Sequence, residues 1–359
     1  MSGVTSSPRR LIVTPLDPEM PEDAQPRRLL RRTLQTVALL GVLVAVVVLA
    51  PGLGQVRTLL SNADPGWLLV GVGLEALSCG SYVIAFRPIF CRRMSWRSSW
   101  DISWAELGMG SIVPASGAAG VALGAWILRR GGMPTDEITR RSVAFMLLKS
   151  AINFVAVAVI GLVMAVGILG PHQPLWRTLL PGLLAAAAIA AVVAIGRLGE
   201  PAPPAPDAER ARRLWVQARR ALLRGVREAG VLVRQHDPGV LFGLFGYWFF
   251  DNAVLWATYH AVGASPPISV ILMGYLIGQL GGALPLPGGV GGIDLGLVGT
   301  LIVYGASADA TVAAVLAYRV ILFWLPLLVG GISFWSLRRG LNNPDRPDLC
   351  YPAAARAGA

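Results

Sequence analysis

The sequence predicts an all-α polytopic membrane protein with about six full spans and two broken re-entrant helical hairpins, the two halves forming an inverted repeat. Three observations carry that prediction. Hydrophobic residues make up 54% of the 359-residue chain and charged ones only 14%, and several apolar runs reach the roughly 20 residues needed to cross a bilayer. The formal charge of +11 comes almost wholly from arginine, clustered between those runs, as the bias toward positive cytoplasmic loops requires. Two further apolar segments are interrupted by proline and glycine, and such breaks are tolerated at membrane depth only where protein or trapped water meets the freed backbone groups. The ten-residue alternation of a membrane β-barrel is not seen.

Residues 1–33 read as a disordered cytoplasmic tail ending in Arg27, Arg28, Arg31 and Arg32, which hold the N-terminus inside. The first span, 34–50, has no small-residue cleavage pattern and reads as a retained anchor. Span two covers 67–86 and runs into Arg87, Arg92, Arg93 and Arg97. Glu75 lies near its centre, so that side must face protein or water. Residues 102–128 enter and leave on the arginine-rich side, returning to Arg129 and Arg130 with a break at Pro114, Ser116 and Gly117. Such a path requires a hairpin. Pro134 to Glu137 mark a helix start, and span three is expected over 142–169, with Lys149 snorkelling from its inner end to the headgroups.

Span four, 178–195, is alanine-rich and suited to close packing. Residues 200–237 form the one long polar connection, a cytoplasmic linker and amphipathic helix. Trp215, Ala218, Leu222, Val226, Ala229 and Val233 share one face of it, among many arginines, as in a helix lying on an anionic inner leaflet. Span five, 240–262, carries Asp251 and Asn252 at its centre within aromatic sequence. A charge there marks either a functional site or a buried structural contact. The final span, 311–337, ends on Arg338 and Arg339 and holds Arg319 too deep to be flanking charge; Asp294 or Asp251 is its expected partner. Residues 340–359 read as a second disordered cytoplasmic tail, leaving 34–339 as a single transmembrane domain.

The stretch 281–304 is the least ordinary. Pro285 and Pro287 offer no amide donor, and Gly288, Gly289, Gly291 and Gly292 admit backbone conformations closed to other residues. Asp294 follows where a second half-helix would begin, and an acid at that position caps free amides. Two readings stand: a tight turn capped by Asp294, or a broken-helix binding site near the midplane. Charge parity brings this hairpin in from outside and the Pro114 hairpin in from the cytoplasm. The two breaks are therefore expected to enclose a midplane site in which Asp294, Arg319, Asp251, Asn252 and Glu75 meet the exposed amides near Pro114, Gly117 and Pro285.

Three scattered cysteines and three isolated histidines give neither metal-ligand spacing nor a disulfide framework, so no metal and no cofactor is expected. The basic charge lies at membrane boundaries, which points to anionic lipid and away from nucleic acid.

The run PLPGGVGGID from Pro285 to Asp294, then Gly305, Ala317-Tyr318-Arg319, the pair Gly330 and Gly331, and the closing arginines resemble the membrane domain of lysylphosphatidylglycerol synthases, which also occurs in stand-alone flippase-like form. The resemblance runs from about 36 to 339. It implies a bacterial inner-membrane protein that handles a phospholipid or a polyprenyl-linked lipid, with the family's proline-glycine motif falling on Pro285, Pro287, Gly288, Gly289 and Gly291, and its arginine on Arg319. Where the family more often carries glutamate, this chain has Asp294. The synthase's soluble aminoacyl-transferase domain has no counterpart here, so the expected function is translocation of a lipid or lipid-linked headgroup between leaflets, not catalysis. The alternative is a membrane-embedded enzyme or accessory subunit of lipid or lipid-linked sugar modification, with a membrane enzyme or a second copy of the chain as partner.

Overall fold

The computed structural model describes residues 52–112, 118–169, 173–199, 201–202, 210–279 and 292–341, with isolated positions between 31 and 49. The span expected at 34–50 falls largely outside them. So do Pro114, Gly117, Pro285, Pro287, Gly288, Gly289 and Gly291.

Among the described residues the regular structure is wholly helical: α1 Gly54–Ser61, α2 Pro65–Phe90, α3 Trp96–Ile112, α4 Ala118–Arg130, α5 Thr135–Ala165, α6 Leu175–Gly196, α7 Arg210–Arg234, α8 Pro238–Ala261, α9 Ile268–Gly278, α10 Gly292–Val303 and α11 Ala308–Leu341. Five of these, α2, α5, α6, α8 and α11, are long and apolar enough to cross a membrane. At 1.5 Å per residue α2 is about 39 Å long, whereas α9 and α10 are each under about 20 Å and reach only part of the way. Each expected span coincides with one described helix where the residues are described, and each expected hairpin with a pair of shorter ones. The boundaries moved most at α5, which begins at Thr135 and not at 142. Asp136 and Glu137 occupy its first turn, where acids complement the helix dipole, so the predicted helix start and span three are one continuous helix.

The order long, short, short, long occurs twice, as α2–α5 and as α8–α11. Both halves open on Asp-Pro-Gly. Asp64 accepts from the Gly66 amide at 2.7 Å, Asp237 accepts from those of Gly239 and Val240 at 2.7 and 3.3 Å, and in each case the proline at the first helical position has no amide to lose. This repeated start is a signal that hydropathy passes over. The two opening helices form the most extensive interface in the molecule and run antiparallel: the Asp64 amide meets the Ala261 carbonyl at 2.8 Å, and Ser78 Oγ donates to the Tyr247 carbonyl at 3.0 Å. Their capped starts therefore lie at opposite ends. The cross-contacts follow the same exchange, α3 packing on α11 and α9 on α5. These relations are those of an inverted repeat about an axis in the membrane plane.

Two large hydrophobic cores result among the described residues, with a small third cluster of Cys79, Val83 and Trp104. One, near the arginine-rich end, gathers Phe86, Ile89, Ile102, Ile127, Phe145 and Val240 around the first hairpin. The other, toward the far end, gathers Val254, Leu255, Ile271, Leu297, Leu301 and Ala314 around the second. Asp251 lies along α8 between the two.

The arginine-rich end is also pinned by ion pairs. Arg224 meets Asp136 at 2.5 Å, Arg140 meets Glu228 at 3.1 Å, and Arg92 pairs with Asp237. The amphipathic helix α7 divides its apolar arc. Its buried residues are Leu223, Gly225, Ala229 and Leu232, with Val143 of α5 against Gly225. Trp215, Leu222 and Val233, placed on the same stripe by periodicity, are exposed. The apolar arc is wide enough to divide between a protein-facing strip and one left open, and pattern alone does not separate them.

Helix α11 approaches α3 closely at paired glycines. A Cβ at Gly108 would stand 2.7 Å from the Pro326 carbonyl oxygen, and one at Gly330 would overlap the Trp104 carbonyl oxygen, whereas one at Gly331 meets nothing within 4 Å. Gly330→Ala is expected to destabilise the detergent-solubilised protein by about 1–3 kcal/mol through overpacking. The adjacent Gly331→Ala should leave it unchanged or stabilise it by up to about 1 kcal/mol. Thermal denaturation of the two variants side by side checks this.

Candidate functional site

Antiparallel packing of α2 on α8 sets the register of the site. Gly71 packs beside Val254 and Ala257, and Gly246 beside Ser81, so residues whose numbers sum to about the same value lie level. Glu75 and Asp251 are such a pair, and they sit within electrostatic range of one another. Glu75 is about 15 Å along α2 from its start, and Asp251 about 20 Å along α8 from the opposite end, which puts both near the middle of the bundle.

The partners of the two acids differ. Asp251 is buried and accepts from two phenols, Tyr275 of α9 onto one oxygen and Tyr318 of α11 onto the other, the latter at 3.0 Å. Glu75 is also buried, but among the described residues its Oε1 meets only the Cys79 thiol of its own helix at 3.3 Å, and its Oε2 has no hydrogen-bond partner. Beside Asp251, the Asn252 amide nitrogen donates back to the Trp248 carbonyl at 2.8 Å while its oxygen is unpartnered. Unpaired polar atoms at such burial each cost about 1–3 kcal/mol.

Toward the far end, Arg319 Nε donates to Asp294 Oδ1 at 2.8 Å, and a second guanidinium nitrogen reaches the same oxygen. Asp294 is thus the partner of Arg319, and Asp251, offered by sequence as the other choice, is held by the tyrosine next to it. Asp294 stands in the first turn of α10, as expected of an acid at a broken helix start.

Toward the arginine-rich end, a second acid-base set mirrors the first. Glu106 of α3 is buried, accepts from the Tyr82 hydroxyl at 2.8 Å, and fills the space where a side chain at residue 124 of α4 would stand. Tyr82 packs its ring on Tyr247 of α8, centroids 5.4 Å apart. Lys149 of α5 lies with Nζ 5.8 Å from the Tyr247 ring centroid and within electrostatic range of Glu106 and Asp251. This overturns the snorkelling assignment. Lys149 turns inward, where acids and an aromatic face draw the ammonium to the centre.

Five residues named from sequence, Glu75, Asp251, Asn252, Asp294 and Arg319, therefore fall in one polar belt between the two cores. Seven others named with them lie outside the described residues. Sequence reasoning missed Tyr82, Glu106, Lys149, Tyr247, Tyr275 and Tyr318. Part of that was readable: Glu75, Cys79 and Tyr82 repeat at helical spacing on one face, as do Tyr247 and Asp251. Among the described residues no group of three or more His, Cys, Asp or Glu side chains gathers closely enough to hold a metal ion.

A multi-pass bundle whose paired hairpins flank a belt of acids, bases and tyrosines narrows the possible relatives. The sequence pattern of the lysylphosphatidylglycerol synthase TM region matches residues 36–330. The chain belongs to that family. It is also 37% identical over 89 residues to a UPF0104 membrane protein of Methanothermobacter thermautotrophicus, a match covering 24% of this chain and 25% of that relative. Family membership and the apolar helices make this a multi-pass membrane protein. The family match spans both hairpins and includes Asp294 and Arg319.

The Asp294–Arg319 pair is half-buried, with side-chain exposures of 14% and 16%. A double-mutant cycle with Asp294→Asn and Arg319→Gln is expected to give a coupling energy of about 1–3 kcal/mol in detergent unfolding. The single Arg319→Gln should be more destabilising than the double change, because it leaves the acid without its cation.

Proposed function

We propose that the protein binds a lipid or lipid-linked headgroup and moves it between the leaflets of the membrane. The observation that carries this reading is the polar belt: an acid from each hairpin and a base from each following long helix, held at mid-depth between inverted halves, an arrangement suited to a site reached from either side. Membership of a family named for the membrane region of a lipid-modifying synthase supports a lipid as cargo. The cargo is a membrane phospholipid or a polyprenyl-linked lipid, its headgroup held in the belt and its acyl chains left in the bilayer. In this reading the membrane is the bacterial inner membrane, both termini are cytoplasmic, residues 34–339 act as one domain, and the polypeptide is a transporter and not an enzyme. The exposed apolar strip of α7, with its arginines, rests on anionic lipid of the inner leaflet.

Purified protein reconstituted into vesicles containing a fluorescent phospholipid is expected to expose that lipid to an external quencher faster than protein-free vesicles do. Arg319→Ala and Lys149→Ala should each reduce the rate about tenfold or more, and Gly331→Ala should not. Equal rates for all variants and for empty vesicles would remove the reading.

Orientation is checked separately. Single cysteines replacing Asn62 and Arg93, exposed residues at opposite ends of α2, are expected in a cysteine-free background to label from opposite faces of intact cells, with position 93 reached only after permeabilisation. Labelling of both from outside contradicts the topology.

A further inference from the structure

Charge bookkeeping in the polar belt leaves a remainder. Among the described residues the belt holds four carboxylates, Glu75, Glu106, Asp251 and Asp294, and two cations, Lys149 and Arg319. Asp294 and Arg319 neutralise one another. Three acids then face one lysine, in surroundings where an uncompensated charge is costly.

The acids are not equally provided for. Asp251 takes a phenol donor on each oxygen, and Glu106 takes the Tyr82 hydroxyl with Lys149 in electrostatic range. Glu75 is 5% exposed, has one thiol on Oε1 and nothing on Oε2, and lies level with the Asp251 carboxylate across the α2–α8 interface. Two carboxyl groups brought to one level of a buried helix interface compete to hold charge. The groups facing Glu75 from the packed helices are Asp251 and Tyr247 of α8, Tyr275 of α9 and Tyr318 of α11. The belt's two cations, Arg319 and Lys149, lie within electrostatic range of Asp251. The Asn252 oxygen beside Asp251, 4% exposed and unpartnered, adds a second buried acceptor with no donor.

We propose that Glu75, shared with Asp251, is a proton-binding site, and that through it the protein couples lipid movement to proton movement across the membrane. The first half stands on the geometry of the two carboxyls; the second rests on the translocation reading. In this scheme Asp251 is the carboxylate fixed by its tyrosines, and Glu75 is the partner that gains and gives up the proton as the halves reorient.

Infrared spectroscopy of the full-length protein in lipid tests the site without transport. A carboxylic-acid carbonyl band present at neutral pH is expected to lose a component in Glu75→Gln. The same component should shift in Tyr318→Phe, which removes one donor from Asp251 and leaves the fold less disturbed. A spectrum unchanged by both substitutions overturns the proton site. The coupling is tested in vesicles by imposing a pH gradient, with a sodium gradient as the comparison. Wild-type lipid movement should be accelerated by the pH gradient alone, and Glu75→Gln should lose that acceleration. Acceleration by sodium only, or acceleration retained in Glu75→Gln, overturns the coupling. A Glu75-dependent band in a protein that moves no lipid under any gradient leaves the proton site standing and overturns coupling and translocation together.

Discussion

A carboxyl group at the middle of a bilayer finds no water, so protein must meet it, and the fold is arranged around meeting two of them. The antiparallel pair α2 and α8 brings Glu75 and Asp251 to the same level. Every neighbouring element then contributes to their surroundings. Helix α9 supplies Tyr275, α11 supplies Tyr318 and Arg319, α3 supplies Glu106, and α5 supplies Lys149. The close helix approaches serve the same end, since glycine contacts such as Gly108 with Gly330 let backbones come near enough for short polar side chains to span the gap.

The two halves repeat in architecture and differ in chemistry. Each hairpin carries an acid and each following long helix a base, yet Asp294 and Arg319 form a direct ion pair, whereas Glu106 is tied to Tyr82 and Lys149 stands over an aromatic ring. The ends differ as well. The arginine-rich end is fastened by ion pairs among α5, α7 and the start of α8. The far end is fastened by bonds to carbonyls: Arg177 to Val303 at 3.0 Å, and the Tyr304 hydroxyl to Arg177 at 2.6 Å. Ion pairs near a membrane surface weaken with salt and compete with lipid headgroups, and carbonyl contacts do so less. The two ends are therefore held by forces of different kind.

Much of the fold was legible because the bilayer restricts the choices. Apolar length, arginine position and two proline-glycine breaks identified the spans, the hairpins and their inverted relation. The site was legible only in part. Asp294 and Arg319 were paired correctly as one of two options, since a guanidinium at depth demands an acid. Lys149 was misplaced because a lysine within reach of a surface satisfies the snorkelling rule as readily as the inward one, and only the position of Tyr247 and Glu106 separates them. The tyrosines were passed over because a phenol is unremarkable in an apolar helix until its hydroxyl is seen to face a carboxylate. On α7 the same limit holds: periodicity names a face without naming what covers it.

By itself the sequence determined that this chain crosses a membrane repeatedly, and that Glu75, Asp251, Asp294 and Arg319 lie too deep to be incidental. Those facts follow from the cost of exposing backbone and charge to hydrocarbon, which local sequence registers directly. The tertiary structure decided which deep groups meet: that Asp251 belongs to two tyrosines, Asp294 to Arg319, and, among the described residues, Glu75 to the Cys79 thiol alone. That outcome depends on the register of α2 against α8 and on two hairpins arriving from opposite ends. These are relations between segments far apart in the chain, and no local pattern encodes them.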